Sequence, residues 1–335
     1  MRILLYIATF ISLVFASSDY FDILDSEFEQ TVKGKTRTFY ITAEEEIWDY
    51  ASQSASAANV PDKHIIGTRY YKALYHEYDA SFRERKARFH WQGNMGPILR
   101  AQVGDTIQIH FWNRAKQNYT MHPHGVFYQF EMEGAIFKGS YESAVVLPNH
   151  NYTYTWQVLP RAGPGPADGD SIAWGYHSHV KETDLYAGLY GAIVIYKPGK
   201  LSHDDIVTSV FVADENLSPY LSRTMSSLYP QFDHNKFDKN QVYGANQFDT
   251  INGLVRSNPS DLRIKGEVDW HLLGWGTYWD VQYIRWEHGQ VWWGEPVTEM
   301  RLMPASFYTV TVQVDTPGTY DFGSSSMNME YTVLE

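Results

Sequence analysis

Two histidine pairs, His122-Pro123-His124 and His177-Ser178-His179, are the residues of this 335-residue sequence best placed to do chemistry. In an extended strand, residues i and i+2 point to the same face, so each pair presents two imidazoles side by side. Two such strands placed next to each other would converge four nitrogen donors on one spot. Neutral imidazole suits copper, zinc, iron and nickel, and copper(II) binds nitrogen sites most tightly of the first-row divalent ions. Four histidines also satisfy tetrahedral zinc, so the residues themselves leave copper and zinc both open. The chain has no cysteine, which rules out thiolate metal sites and a cysteine nucleophile.

The elements that must position these side chains read as strands. Residues 36–42, 105–111, 151–158 and 191–196 alternate in polarity or form β-branched runs, each bounded by turn residues. The rhythm returns at 268–273, 308–314 and 330–334. Many short strands with Gly and Pro turns predict β-sandwiches or barrels, and 11 Trp and 25 Tyr suit half-buried strands. Residues 103–110 and 266–273 each place a Gly and an acid before a strand, and each precedes a His-Gly dipeptide, His124-Gly125 or His288-Gly289. That pattern predicts two copies of one fold. The polar stretch 197–205, with its Pro and Gly, is the expected linker between a first domain at 19–198 and a second at 199–335. The polar segment 218–247 reads as a long loop or subdomain of the second unit.

Arg2, an apolar run over 3–15 and small residues near Ala16 to Ser18 predict a secretory signal peptide covering 1–18. That run is too short to span a bilayer, and no transmembrane anchor is expected elsewhere. Asn118, Asn151 and Asn216 head N-x-[ST] sequons and are candidate glycosylation sites. A net charge of −12 argues against nucleic acid or an anionic membrane surface as partner.

Several longer segments resemble the ceruloplasmin and hephaestin branch of the multicopper oxidases. They are Phe39-Tyr-Ile-Thr-Ala-Glu-Glu-Glu-Ile-Trp-Asp-Tyr50, Asn94-Met-Gly-Pro-Ile-Leu-Arg-Ala-Gln-Val-Gly-Asp-Thr106, Met121-His-Pro-His-Gly-Val-Phe-Tyr128, Trp174-Gly-Tyr-His-Ser-His179 and Phe211-Val-Ala-Asp-Glu-Asn216. The resemblance implies an all-β fold of two tandem cupredoxin-like Greek-key β-sandwiches, with copper as cofactor. It implies that His122, His124, His177 and His179 are the first-domain half of a trinuclear copper site. The second-domain half should bring further histidines and a cysteine that also ligates a type 1 copper. Here residues 279–289 retain only His288, and 318–329 carry neither Cys nor His. Blue copper needs a thiolate, so no type 1 site is expected.

Two readings follow. One is a secreted copper-binding protein with oxidase (ferroxidase-like) activity only if a second, ligand-donating chain completes the site. A homo-oligomer cannot complete it, because every copy lacks the same ligands. The other is a non-catalytic extracellular interaction scaffold. His271 reads as a core histidine, His288 as a remnant, and Met327 and Met329 as packing. Trp292-Trp293 offers a candidate partner patch. The acidic runs Glu44-Glu45-Glu46 and Asp204-Asp205 read as solvated faces.

Overall fold

The alternation in β4 (Thr106–Asn113) becomes one face of a core: Ile107, Ile109, Phe111 and Asn113 are buried and the residues between them are half-exposed. The computed structural model describes residues 34–54, 62–136, 145–276 and 281–335; the expected signal segment, 1–18, lies outside them. β4 pairs in parallel with β1 (Thr36–Asp49) and antiparallel with β6 (Asn151–Gln157), and β2 (Arg69–Tyr78) adds to the far side of β1. A second sheet runs β3 (Leu99–Gln102), β8 (Tyr190–Tyr196), β7 (Ser171–His177), β5 (His122–Pro123). Ile41, Ile107 and Ile109 of the first sheet and Leu99, Ile193 and Ile195 of the second share one core.

The second half repeats this plan. β9 (Ile206–Asp214), β10 (Gln247–Ile251), β12 (Glu267–Gly274) and β17 (Ser306–Gln313) lie in the order β10-β9-β12-β17, matching β2-β1-β4-β6 in order and in sense of pairing. β14 (Gln290–Trp293) and β15 (Glu295–Val297) extend that sheet. Opposite it, β11 (Arg263–Ile264), β19 (Asn328–Val333), β18 (Gly318–Gly323) and β13 (Gln282–Trp286) match β3, β8, β7 and β5, with β16 (Met300–Leu302) added at the edge. The fold is all-β, and the Gly-acid-strand pattern at 103–110 and 266–273 marks the equivalent strands β4 and β12. Among the described residues, no helix is long and apolar enough to cross a membrane.

β8 is buried along its whole length because it serves two cores. Ile193 and Ile195 face their own sandwich, whereas Ala192, Val194 and Tyr196 join the core that contains Val207, Val210 and Trp270 of the second. Burying apolar surface on both faces at about 25 cal/mol per Å2 makes this strand the spine of the seam between the two units.

Two expectations are corrected here. Segment 218–247 folds into α2 (Leu221–Leu228) and α3 (Lys239–Ala245), following the short α1 (Asp184–Ala187) earlier in the chain. α2 lies across the first sandwich, not the second. The Tyr71 backbone N–H donates to Thr224 Oγ1 at 3.0 Å, and Arg223 stacks 3.9 Å from the Tyr71 ring centroid and reaches Glu45 at 2.5 Å. α3 starts with a capping box between Asp238 and Gln241. The acidic run 44–46 is also paired rather than freely solvated, whereas Asp204 is exposed. Glu44 meets Arg85 and Arg114, Glu45 meets Arg223, and Glu46 meets Arg85 and His76.

Asp205 is buried at the seam, 3.0 Å from Arg100 and 3.2 Å from His271 Nε2. Burial alone would raise its pKa, but the adjacent His271 imidazole and the Arg100 guanidinium outweigh this and hold it at about 2. A folded pKa below the unfolded value gives stability that is full above about 4 and is lost as pH falls towards 2. Asp205→Asn should therefore cost roughly 2 kcal/mol at neutral pH and much less near pH 2. Urea denaturation at both pH values checks this; an equal loss at the two would contradict it.

Candidate metal centre

β5 and β7 are antiparallel neighbours, and His122 stands directly opposite His177. Beyond the strand end, the His124 backbone N–H donates to Gly175 O at 2.9 Å and keeps the second histidine of that pair against β7. Ring centroids are 5.5 Å apart for His122 and His177, 5.3 Å for His124 and His177, and 5.1 Å for His122 and His179. All four predicted histidines thus come together. Ligating nitrogens of His122, His124 and His177 lie within 4.8 Å of one another; His179 flanks this triangle rather than closing a tetrahedron. The reason is local. Past β7 the His179 backbone turns away and donates to Thr120 Oγ1 at 2.9 Å, and His179 bridges Ala135 instead of β5.

Hydrogen bonds set the ring orientation. His122 Nδ1 lies 2.8 Å from Glu133 O and His177 Nδ1 2.9 Å from Ser178 O. A carbonyl only accepts, so each Nδ1 carries the proton and each Nε2 keeps a lone pair for a metal. His124 Nε2 is buried without a hydrogen-bond partner among the described residues, a costly state that a bound metal would relieve. Burial, reinforced by the neighbouring imidazoles, holds His124 at about 4 and His177 at about 3. Burial also lowers the pKa of His122. The three converging rings are therefore neutral at physiological pH, which is the ligating form. This donor set fits copper.

Two glycines are required by the close packing. At Gly125 (φ +75°) an added Cβ would fall 2.0 Å from the Trp174 ring, and at Gly134 (φ +67°) 2.1 Å from Met121 O. Beneath the rings, Thr120 N donates to Ser178 Oγ at 3.1 Å, and Ser178 Oγ donates to Asp184 Oδ2 at 2.7 Å. Asp184 also accepts from Val180 N at 3.2 Å, so this chain fixes the turn that carries His179. Sequence reading did not single out Thr120 or Asp184. Thr120 is the third residue of the Asn118 sequon, and its buried hydroxyl serves the histidine turn. Partners behind metal ligands are typically worth 10–100-fold in affinity. Ser178→Ala should weaken copper binding by roughly tenfold or more without removing it. Competition against a copper chelator reads this; unchanged affinity would contradict the supporting role.

Trp275 and Phe307 of the second unit form one wall. Phe307 lies 5.4 Å from His124 and Trp275 5.6 Å from His177, centroid to centroid. The wall fits because Gly175 has no side chain; a Cβ there would sit 2.5 Å from the Trp275 ring.

The repeated topology shows what occupies the same positions in the second unit. Gly323 is the last residue of β18 and faces Arg285, as His177 faces His122. Two residues on from each are Ser325 and Glu287, in the places of His179 and His124. These four residues line a shared surface depression, and none is an imidazole. The 318–329 stretch closes into the β18–β19 hairpin, with Ser324 N donating to Met327 O at 2.7 Å.

The remaining candidates lie elsewhere. His271 is fully buried, with Nδ1 2.8 Å from Thr309 Oγ1, as a core histidine should be. His288 stacks on Tyr320 at 4.3 Å and lies 3.3 Å from Asp315. Met327 and Met329 are buried in the core. Trp292 and Trp293 are exposed. Of the sequon asparagines, Asn151 is exposed and Asn118 is half-buried. Asn216 Nδ2, the atom a glycan would occupy, donates to Asp214 Oδ1 at 2.7 Å and Tyr243 O at 3.0 Å.

Residues 80–200 match the family profile described as Multicopper oxidase. The chain is 33% identical over 321 residues to Ferroxidase HEPHL1 of Mus musculus, an alignment covering 85% of this chain and 27% of that one. It is 32% identical over 334 residues to Hephaestin of Homo sapiens, covering 89% and 29%. The chain thus spans less than a third of the length of these relatives. Its fold matches the copper nitrite reductase of Nitrosomonas europaea with a TM-score of 0.57 at 14% identity, covering 90% of this chain and 94% of that one. The two sandwiches are cupredoxin-like.

Proposed function

Since the chain belongs to the hephaestin and ceruloplasmin branch of the multicopper oxidases, a family that implies copper as cofactor, we propose that it is a secreted copper-binding protein carrying half of a trinuclear copper site. The reading takes 1–18 as a signal peptide, 19–198 and 199–335 as the two domains, and Asn118, Asn151 and Asn216 as glycosylation sites. His122, His124, His177 and His179 are its metal ligands. One observation carries it: the β5–β7 pairing that gathers three neutral imidazoles and leaves His124 Nε2 buried and unpartnered.

When bound, copper would supply one-electron redox chemistry. The chain's own part is to hold the rings in one tautomer through Glu133 O and Ser178 O and to exclude water on the side of Trp275 and Phe307. A full oxidase also needs an electron entry point. The absence of cysteine, together with Arg285, Glu287, Gly323 and Ser325 at the second unit's equivalent positions, supports a chain with no type 1 copper. Ferroxidase-like activity is then conditional on a second, different chain that donates the missing ligands. Because Trp275 and Phe307 back His124 and His177, such a chain would approach past His122 and His179. The exposed Trp292 and Trp293 support a second reading, an extracellular interaction scaffold.

Iron(II)-dependent oxygen uptake by the copper-loaded chain separates these readings. The purified chain should show no uptake and no intense blue band. Turnover by the chain alone would overturn the half-site reading.

A further inference from the structure

On a chain of net charge −12, one cavity of about 500 Å3 gathers positive charge. Among the described residues, Lys35, Arg37, Arg85, Lys86, Arg88 and Arg100 line it, against the single carboxylate of Glu77. It opens between β1, β2, β3 and the connection from β8 to β9, which contributes Leu201 and His203. It shares no lining residue with the histidine cluster.

Four of the six cations have carboxylate partners that fix their position. Arg37 lies 2.5 Å from Asp105, Arg100 3.0 Å from Asp205, Lys86 2.6 Å from Glu77, and Arg85 2.9 Å from Glu44 and 3.4 Å from Glu46. Lys35 and Arg88 have no carboxylate within ion-pair distance among the described residues. Arg88 is half-buried, and its Nη2 donates only to the main-chain carbonyls of Gln92 and Met95, at 3.1 and 2.5 Å. Carbonyls position a guanidinium without neutralising it. A partly desolvated, uncompensated cation is costly unless an anion joins it. Planar guanidinium forks match carboxylate and phosphate oxygens in paired hydrogen bonds. The volume lies in the range of small-ligand pockets.

We propose that this cavity is a binding site for a small multivalent oxyanion, a polycarboxylate or a phosphate, held by Arg88 and Lys35 as the uncompensated charges. A bound anion would tie β1, β3 and the connection between the sandwiches together.

Isothermal titration calorimetry on the metal-free full chain, with citrate and with pyrophosphate as probes, tests this. Saturable one-site binding is expected, weakening as ionic strength rises, and a preference for one probe assigns the chemistry as carboxylate or phosphate. Lys35→Gln should weaken binding several-fold and Lys35→Gln/Arg88→Gln by roughly tenfold or more, while His122→Ala/His177→Ala leaves it unchanged. No saturable binding of either anion to the folded chain would overturn the proposal. So would full affinity in Lys35→Gln, an exposed position whose variant keeps the proposal testable if the Arg88 change prevents folding.

Discussion

His122→Ala combined with His177→Ala should abolish copper uptake while leaving the fold intact. These two side chains face each other across β5 and β7, so the double change removes two of the three converging donors at once. Loss of a supporting partner alone costs 10–100-fold in metal affinity; loss of two ligands should reduce binding by roughly a thousandfold or more. The fold should tolerate it, because all four rings are half-buried at the strand ends and the cores lie elsewhere. Removing half-buried histidines that are held neutral also removes a penalty that grows as pH falls below about 6.5. Metal content after copper loading and desalting, read beside the circular dichroism melt, checks both statements. Copper content equal to that of the parent, in a variant with the parent's melt, would refute the ligand assignment.

The second large effect lies at the seam between the units. Lys72 of β2 is 2% exposed in its side chain and is ion-paired to Glu215, which follows β9 and has no exposed side-chain surface. Tyr50 also donates to Glu215, and Lys72 Nζ donates to Tyr186 O in α1 at 2.5 Å. Burial lowers the Lys72 pKa, and Glu215 opposes that by stabilising the ammonium. Lys72→Ala leaves a carboxylate buried without its partner and should cost about 3–5 kcal/mol. Replacing the polar set together, as Lys72→Met/Glu215→Leu/Tyr50→Phe, should recover most of that loss, since apolar substitutes of similar volume need no compensation. Chemical denaturation measures both. A loss below about 1 kcal/mol for Lys72→Ala would mean that the pair contributes little to joining the units. The effect should reach the metal centre, because α1 contains both Tyr186 and Asp184, and Asp184 holds the His179 turn.

Strand positions and the internal repeat were legible in the sequence because a strand's side-chain period is two and shows directly in residues such as Ile107, Ile109 and Phe111. The paired histidines were legible for the same reason: i and i+2 on a strand share a face. The arrangement of His179 was not, because it depends on a turn stabilised by Thr120, Ser178 and Asp184, through hydrogen bonds that span 58, 6 and 59 positions of sequence. No local period records such a set. The aromatic wall of Trp275 and Phe307 was equally hidden, since it depends on how one sandwich packs on the other and on the bare backbone of Gly175. Polarity misled at Asp205, which looks solvated beside Asp204 but is compensated by Arg100, 105 residues earlier, and by His271. It misled again over 218–247, where α2 is short and its contacts with Tyr71 and Glu45 come from the other end of the chain.

Copper binding by the clustered histidines is the property on which the proposed function depends. Its most direct test is the copper content of the purified, copper-loaded and desalted protein, with an EPR spectrum of the same sample. Retained near-stoichiometric copper, with hyperfine structure from nitrogen ligands and no blue-copper signature, is the predicted result. A protein that keeps no copper after loading would contradict the claim and leave the sandwiches as a scaffold without a metal.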